Sequence, residues 1–260
     1  MSISTDFLHE CRGRRTWIID VDDTLYPMSS GLHQRIKSNI VEAYSKLAKA
    51  DKNLVDRVAD ILDQQKIFLS DASNISHADL GVAFPPIVQA VQELYENELD
   101  AYLRQFYGND YGLICPDARL TKAFQQAHNK GIDIYFYTNG PWQHVEKVMQ
   151  NLGFQADMIT MMRERTFDLL DSVKRGRGKP TVESMHDFLY HFNIDPKDAL
   201  FIDDDIKNLV TASKTGIKPV WAWTQDKPQP EQSDIEVSQS IQAQRIRYPG
   251  EFLEMLTANP

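Results

Sequence analysis

The chain has 260 residues, 42% hydrophobic and 25% charged, with a formal net charge of -9. This is a globular composition, long enough for one large domain or a core plus a smaller one. The acidic balance argues against nucleic acid or an anionic membrane surface as the main partner, while a local cation still allows a small anionic substrate. Two cysteines (Cys11 and Cys115), no apolar run of membrane-spanning length and no signal-peptide core in residues 1–15 lead to the expectation of a soluble protein in the reducing cytoplasm.

The first element is the apolar run Trp17, Ile18 and Ile19, read as a buried strand of a parallel sheet. It ends in three carboxylates, Asp20, Asp22 and Asp23. Open α/β sheets bind ligands at the carboxyl ends of their strands. Asp20 and Asp22 face the same crevice if the extended conformation persists that far. Crowded carboxylates repel one another unless a cation lies between them, and a divalent metal is the natural candidate.

After Pro27 the period becomes helical. Ser29 or Ser30 is expected to cap a helix carrying Leu32, Ile36, Ile40, Tyr44 and Leu47, and Leu54, Val58, Ile61 and Leu62 mark a second. A polar loop over 70–81 precedes a third helical stretch, opened by Pro85 and Pro86 and running through Ile87, Val91, Tyr95, Tyr102 and Leu103 to Gly108. The α/β rhythm resumes at Pro116. The reading is a helix over 118–129, a strand over 132–137 ending in Thr138-Asn139-Gly140, and a helix over 142–152. A short strand at Met158–Met161 and a helix over 180–192 come next. A strand over 199–202 ends in Asp203-Asp204-Asp205, before a helix over 208–215 and a strand over 220–223. This alternation implies a doubly wound parallel sheet with an all-helical insertion. The expected division is an α/β core over 1–27 and 116–225, a helical cap over 28–115, and a polar, mobile linker and tail over 226–260. Residues 248–256 are either a helix that docks back or a frayed end.

Three strand ends thus carry polar clusters, and Lys179 precedes a helix that can bring it to the same crevice. The chemistry divides naturally. Asp20 is a candidate nucleophile, and Asp22 a candidate acid and base for the leaving oxygen and for water. Asp203 and Asp204 are hard oxygen ligands that suit Mg²⁺. Thr138 offers a hydroxyl beside backbone amides able to hold phosphate oxygens, and Lys179 supplies fixed positive charge. His144 is read as lying on a solvated helix face, Trp142 as a packed or exposed helix-start residue, Asp205 as a helix cap, and both cysteines as inert. The basic run over 174–178 is either a rim for an anion or a solvated loop.

As a set, these motifs resemble the haloacid dehalogenase-like hydrolases. Asp20-Val-Asp22-Asp23-Thr24 after an apolar strand matches that family's first motif, Thr138 in FYTNG its second, Lys179-Pro180 its third, and Asp203-Asp204 its fourth. The resemblance spans about Trp17 to Trp223. It implies a Rossmann-like core with an inserted helical cap and an aspartyl-phosphate on Asp20, with acid–base work by Asp22. It also implies a Mg²⁺ site built from Asp20, the Asp22 backbone carbonyl, Asp203 and Asp204. Thr138 and Lys179 complete the implied catalytic set, and Asp23, Thr24, Asn139 and Gly140 the substrate-binding set. Leu25-Tyr26-Pro27 and the Thr138-Asn139-Gly140 turn are most similar to the pyrimidine 5′-nucleotidase branch. The expected activity is therefore Mg²⁺-dependent hydrolysis of a small phosphorylated metabolite, with a nucleoside 5′-monophosphate preferred. The alternatives are a sugar-phosphate or phosphoglycolate phosphatase, a phosphomutase, a carbon–halogen hydrolase, and a non-catalytic phosphate-ligand binding protein.

Overall fold

The computed structural model describes residues 3–69, 71–77, 79–224 and 226–258, so Ser70 and Ala78 of the expected loop over 70–81, Gln225 at the end of the expected core, and Asn259 and Pro260 of the tail lie outside the described residues. In chain order the elements begin with α1 (Thr5–Arg12), β1 (Thr16–Ile19), α2 (Leu32–Ala50), α3 (Lys52–Gln64), α4 (Leu80–Leu94) and α5 (Leu99–Tyr107). They continue with α6 (Ala118–Asn129), β2 (Asp133–Tyr137), α7 (Trp142–Leu152), α8 (Ala156–Arg163), β3 (Thr166–Phe167), α9 (Leu169–Lys174) and α10 (Val182–Phe192). The last are β4 (Ala199–Asp203), α11 (Ile206–Thr215), β5 (Lys218–Ala222), α12 (Gln232–Ser240), β6 (Gln244–Ile246) and α13 (Pro249–Thr257).

The six strands form one sheet in the order β3-β2-β1-β4-β5-β6, and every pair is parallel. β1 is central, and it explains why a sequence run with no polar alternation makes a strand. Trp17 and Ile19 enter the apolar core on one face and Ile18 the core on the other, all three fully buried. Ile19 lies level with Phe136 of β2 and Ile202 of β4, so the residues that follow these three strands emerge side by side. α10 packs beside α11 on one face of the sheet, and α6 beside α13 on the other.

Residues 28–115 hold α2–α5, inserted between β1 and β2, with α3 packed on α4 and α2 on α5. The buried positions of α2 (Leu32, Ile36, Ile40, Ala43, Tyr44) recur at helical spacing, as the sequence pattern requires. Tyr95 and Tyr102 pack on the core as a ring pair 5.6 Å apart.

Four local readings change. The helix after Pro27 starts at Leu32, because Met28–Ser30 form a 3₁₀ turn and Gly31, at φ 74°, sits in a left-handed conformation that glycine adopts freely. Ser30 Oγ accepts from the Leu32 amide at 3.2 Å. The third helical stretch is two helices broken at Tyr95, and Pro85 and Pro86 lie inside α4 rather than opening it, since Leu80, Ala83 and Phe84 bury a turn that precedes them. The strand expected at Met158–Met161 belongs to α8, whose buried residues Met158, Ile159 and Met162 follow a helical period.

The fourth concerns the tail, whose linker is expected to be mobile; of the two readings of 248–256, the docked helix is the one found. The tail folds as α12, β6 and α13, with β6 pairing to β5 and α13 packing against α6 and α1. Phe252 and Leu253 are fully buried, and Arg12 donates to the Met255 carbonyl at 2.8 Å. Polar composition misled here because β6 is an edge strand buried on one side only at Ile246. Among the described residues no helix is long and apolar enough to cross a membrane.

Candidate active site

Extended structure ends just past β1. The Asp20 amide still pairs with the Ile202 carbonyl at 2.9 Å, after which the chain turns, with the Thr24 and Leu25 amides both directed at the Val21 carbonyl. Asp23 completes the turn at φ 54°. Asp20 and Asp22 nevertheless reach one cavity of about 520 Å³, together with Asp23, Thr138, Asn139, Lys179 and Asp204. The far wall comes from the insertion, through His33, Ile36, Lys37 and Ile40 of α2, Leu80, Phe84 and Pro85 of α4, and Tyr107.

Lys179 binds the floor of this cavity together. Its Nζ donates to Asp20 Oδ1 at 2.5 Å and to Asp203 Oδ2 at 2.9 Å, and all three side chains are buried. Burial alone would lower the lysine pKa, but the two carboxylates outweigh it and hold the ammonium charged far above the usual range. The loop that delivers Lys179 is fixed by Asn139, whose Oδ1 accepts from the Lys179 amide at 3.1 Å and whose Nδ2 donates to the Lys179 carbonyl at 3.2 Å.

Oxygens of Asp20, Asp203 and Asp204 all lie within 4.8 Å of one another. Asp20 is pushed well above the usual carboxylate range by burial, with Asp203, Asp204 and Asp22 adding repulsion against the pull of Lys179. Asp204 is raised to about 6 by burial and Asp203, against Lys227, whose Nζ donates to Asp204 Oδ2 at 2.6 Å. Asp23 Oδ1 is buried with no hydrogen-bond partner, while its Oδ2 meets His33 Nδ1 at 2.7 Å. Three crowded hard donors, two of them with raised pKa values, suit a divalent cation such as Mg²⁺.

The remaining expected residues divide into wall and support. Thr138 Oγ1 accepts from the Gly140 amide at 3.0 Å, which leaves its hydroxyl proton for another acceptor. Thr24 Oγ1 donates to Asp20 Oδ2 at 3.2 Å and is buried, so this side chain backs the carboxylate rather than facing the cavity. Asp203 also stands behind the wall, fully buried, accepting from the Asp205 amide and from Asn208 Nδ2. Asp205 caps α11 by accepting from the Lys207 amide. Arg175 and Arg177 turn to Asp187 at the surface, and Cys11 is buried with its thiol pushed up to about 12 by that burial.

His144 departs most from expectation. It is buried, not solvated, with Nε2 2.9 Å from Asp22 Oδ1 and Nδ1 3.0 Å from the Tyr111 hydroxyl. Tyr26 also donates to Asp22 Oδ1. Burial would raise the Asp22 carboxyl, but His144, His33 and Tyr26 outweigh it and hold it well below the usual carboxylate range. A signal was present in the sequence: His144 shares its helix face with Val145, Val148, Met149 and Leu152, and a polar side chain on an apolar stripe needs a buried partner. Lys227 and Asn208 had no such signal, since Lys227 sits in a polar stretch with no period and Asn208 among ordinary helix residues.

A family model for haloacid dehalogenase-like hydrolases matches residues 15–216. Among solved structures, a dehalogenase in an intermediate complex superposes with a TM-score of 0.53 at 12% identity, covering 95% of this chain and 99% of that one. A haloacid dehalogenase family hydrolase from Deinococcus radiodurans R1, with bound phosphate and sodium, gives 0.52 at 12% identity, covering 96% and 99%. At such identities the likeness is one of fold. A curated relative, the sesquiterpene phosphatase astK of Aspergillus oryzae (strain ATCC 42149 / RIB 40), is 24% identical over 107 residues. That match takes in 41% of this chain and 50% of the relative, so the chain spans about half the length of the curated protein it matches. With the family model covering well over half of its residues, the chain belongs to the haloacid dehalogenase-like hydrolases.

Proposed function

We propose that this hydrolase is a Mg²⁺-dependent phosphomonoesterase working through a phosphorylated Asp20. The observation that carries the reading is the Lys179 ammonium bridging Asp20 and Asp203, with Asp22 and Asp204 on the same cavity wall. Asp20 attacks phosphorus, and the departing alcohol oxygen takes a proton from Asp22. Asp22 then takes a proton from water as the water oxygen displaces the Asp20 carboxylate. Asp22 rests as a carboxylate, the form the second step uses. The dianionic phosphate placed beside it pushes its pKa up toward the protonated form that the first step uses. Thr138 and the neighbouring amides hold phosphate oxygens, and Lys179 keeps positive charge fixed where negative charge gathers. Mg²⁺, held by Asp20, the Asp22 carbonyl, Asp203 and Asp204, would supply electrostatic stabilisation to the phosphoryl oxygens. A carbon–halogen hydrolase would have no use for Asp22 or the acidic pair. Residues 28–115 act as a cap that shapes the leaving-group side of the cavity.

The metal reading has a stability readout. Raised carboxyl pKa values mean that the folded chain binds protons more readily than the unfolded one. The stability linked to Asp204 is fully present below its ordinary value of 3.8 and lost as pH rises through about 6. A cation that relieves this repulsion therefore stabilises most above that pH. Mg²⁺ at about 100 times its Kd should raise Tm by roughly 5 °C near neutral pH. At about pH 5, where protons compete for the site, the rise should be much smaller. Equal shifts at both pH values would remove the role given to these carboxylates.

For the leaving group, the sequence favours a pyrimidine nucleoside 5′-monophosphate. The apolar wall of Ile36, Ile40, Leu80 and Phe84, together with a relative named for a terpene phosphate activity, favours a second reading, the monophosphate of an apolar alcohol. Phosphate release from UMP, CMP, sugar phosphates and prenyl monophosphates decides between them. A preference of about 10-fold or more for UMP or CMP in kcat/KM is expected. A rise in kcat/KM with prenyl chain length would transfer the substrate to the apolar class and keep the mechanism. Phe84→Ala should lower kcat/KM for the preferred substrate more than for an aryl phosphate. Equal losses would make the cap wall structural.

A further inference from the structure

Asp22 presents its two carboxylate oxygens unequally. Oδ1 receives both His144 Nε2, at 2.9 Å, and the Tyr26 hydroxyl. Among the described residues Oδ2 has no hydrogen-bond donor, and the side chain lines the cavity. The histidine is itself held. Its side chain is wholly buried, its Nδ1 meets the Tyr111 hydroxyl at 3.0 Å, and the rings of Tyr107 and Tyr111 lie 5.0 and 5.7 Å from it. All polar groups are satisfied when Tyr111 donates to Nδ1 and Nε2–H donates to the carboxylate. Tyr107 and Tyr111 belong to the last part of the insertion, and His144 to the core helix α7.

Gly140 is a second, independent observation. A Cβ at this position would lie 2.9 Å from His144 Cδ2, 3.4 Å from Thr138 Oγ1 and 3.7 Å from Asp22 Oδ2. The imidazole is wedged between two tyrosines and has little room to yield. The absence of a side chain at position 140 is thus what lets the ring reach Asp22. This accounts for a glycine in the turn without any direct contact to substrate.

We infer that His144 is a positioning residue for Asp22. With Tyr26 it anchors Oδ1 and so presents Oδ2 for proton exchange, and through Tyr111 it ties that orientation to the seating of the inserted helices. The inference rests on the reading of Asp22 as the acid and base. In the first step the phosphorus–oxygen bond to the alcohol breaks and the Oδ2 proton moves to the alcohol oxygen. In the second a water proton moves to Oδ2 as the aspartyl-phosphate bond breaks. With Oδ1 filled by two donors, the proton is confined to Oδ2 and the carboxyl plane is held with that oxygen forward; without the anchor the proton could sit on either oxygen and the plane could turn away from the alcohol.

The test compares kcat/KM, which reports the steps up to departure of the alcohol, for an alkyl phosphate and for p-nitrophenyl phosphate, whose good leaving group needs little protonation. His144→Leu should lose about 10–100-fold on the alkyl ester and less than about 3-fold on the aryl ester, with KM and the circular dichroism spectrum little changed. Gly140→Ala and Tyr111→Phe should show the same selectivity at smaller size, and they replace His144→Leu if that variant fails to fold. His144→Gln, which keeps an N–H donor, should recover part of the loss. Equal losses on both esters, or a change confined to KM, would overturn the positioning role. Asp22→Asn separates the two failures. If it discriminates between the esters and His144→Leu does not, the positioning role alone falls. If Asp22→Asn does not discriminate, the acid–base reading fails and takes the inference with it.

Discussion

Asp20→Asn is expected to abolish phosphate release, by on the order of 10⁴-fold or more, while the protein stays folded. The amide has the shape of the carboxylate but no nucleophilic oxygen, so no aspartyl-phosphate can form. Folding should tolerate the change because two effects oppose. One acceptor for the Lys179 ammonium, now 2.5 Å away, is weakened. At the same time a carboxyl pushed up by burial and three neighbouring acids is replaced by a neutral group. Thr24, which donates to Asp20 Oδ2, can turn its hydroxyl to keep a partner. A Tm within a few degrees of the parent is the expected result, with no acid-stable phosphoprotein trapped on brief mixing with substrate. Retained turnover would remove Asp20 as nucleophile and leave the cluster a purely electrostatic site.

Lys179→Met should harm both stability and turnover. Methionine keeps the length of the side chain and discards the charge, leaving Asp20 and Asp203 buried without their shared donor. Breaking a buried pair from one side costs about 3–5 kcal/mol, because the uncompensated charge remains. That is a large share of the roughly 5–15 kcal/mol that holds a domain folded. Mg²⁺ should restore part of the lost Tm, since it can balance the same carboxylates. It should not restore rate, because fixed charge beside the attacking oxygen is worth about 10²–10³ in turnover. Thermal unfolding with Mg²⁺ and with EDTA, set beside initial rates, separates the two effects. Full recovery of rate by metal would reduce Lys179 to a structural cation.

The core was legible because its burial is two-sided. β1, β2, β4 and β5 read as apolar runs, the first three ending where the polar residues of the site begin, and the parallel order follows from the alternation with helices. Legibility failed where local pattern carries little information. Residues 158–161 are a mostly apolar run of four, broken only by Thr160, and a run of that length is compatible with a strand or with one side of a buried helix. β6 hides among polar residues because only Ile246 needs to be buried. Within the site, residue types announced the cluster itself, since Asp20, Asp22, Asp204 and Lys179 line one cavity with Asp203 behind it. What could not be read was which polar groups would be occupied in supporting one another. Asn139 holds the Lys179 loop, Thr24 backs Asp20, and His144 reaches Asp22 across 122 positions of sequence.

The tail also changes where the folding unit ends. The family match stops at residue 216, before β5, yet β5 is buried at every position and continues through β6 to α13, whose helix returns across the sheet to α1 and α6. α1 and the segment from β6 to α13 are thereby fastened to each other, with Ser4 hydrogen-bonded to Gln244 and Arg12 to the Met255 carbonyl. A boundary drawn at residue 216 would discard β5 and leave β4, apolar from Ala199 to Ile202, as an open edge, the kind of surface that recruits strands from other molecules. It would also discard Lys227 and so remove the counter-charge from Asp204. The described residues between 217 and 258 thus act as a selvage, closing the woven edge of the sheet and carrying one thread back to its centre.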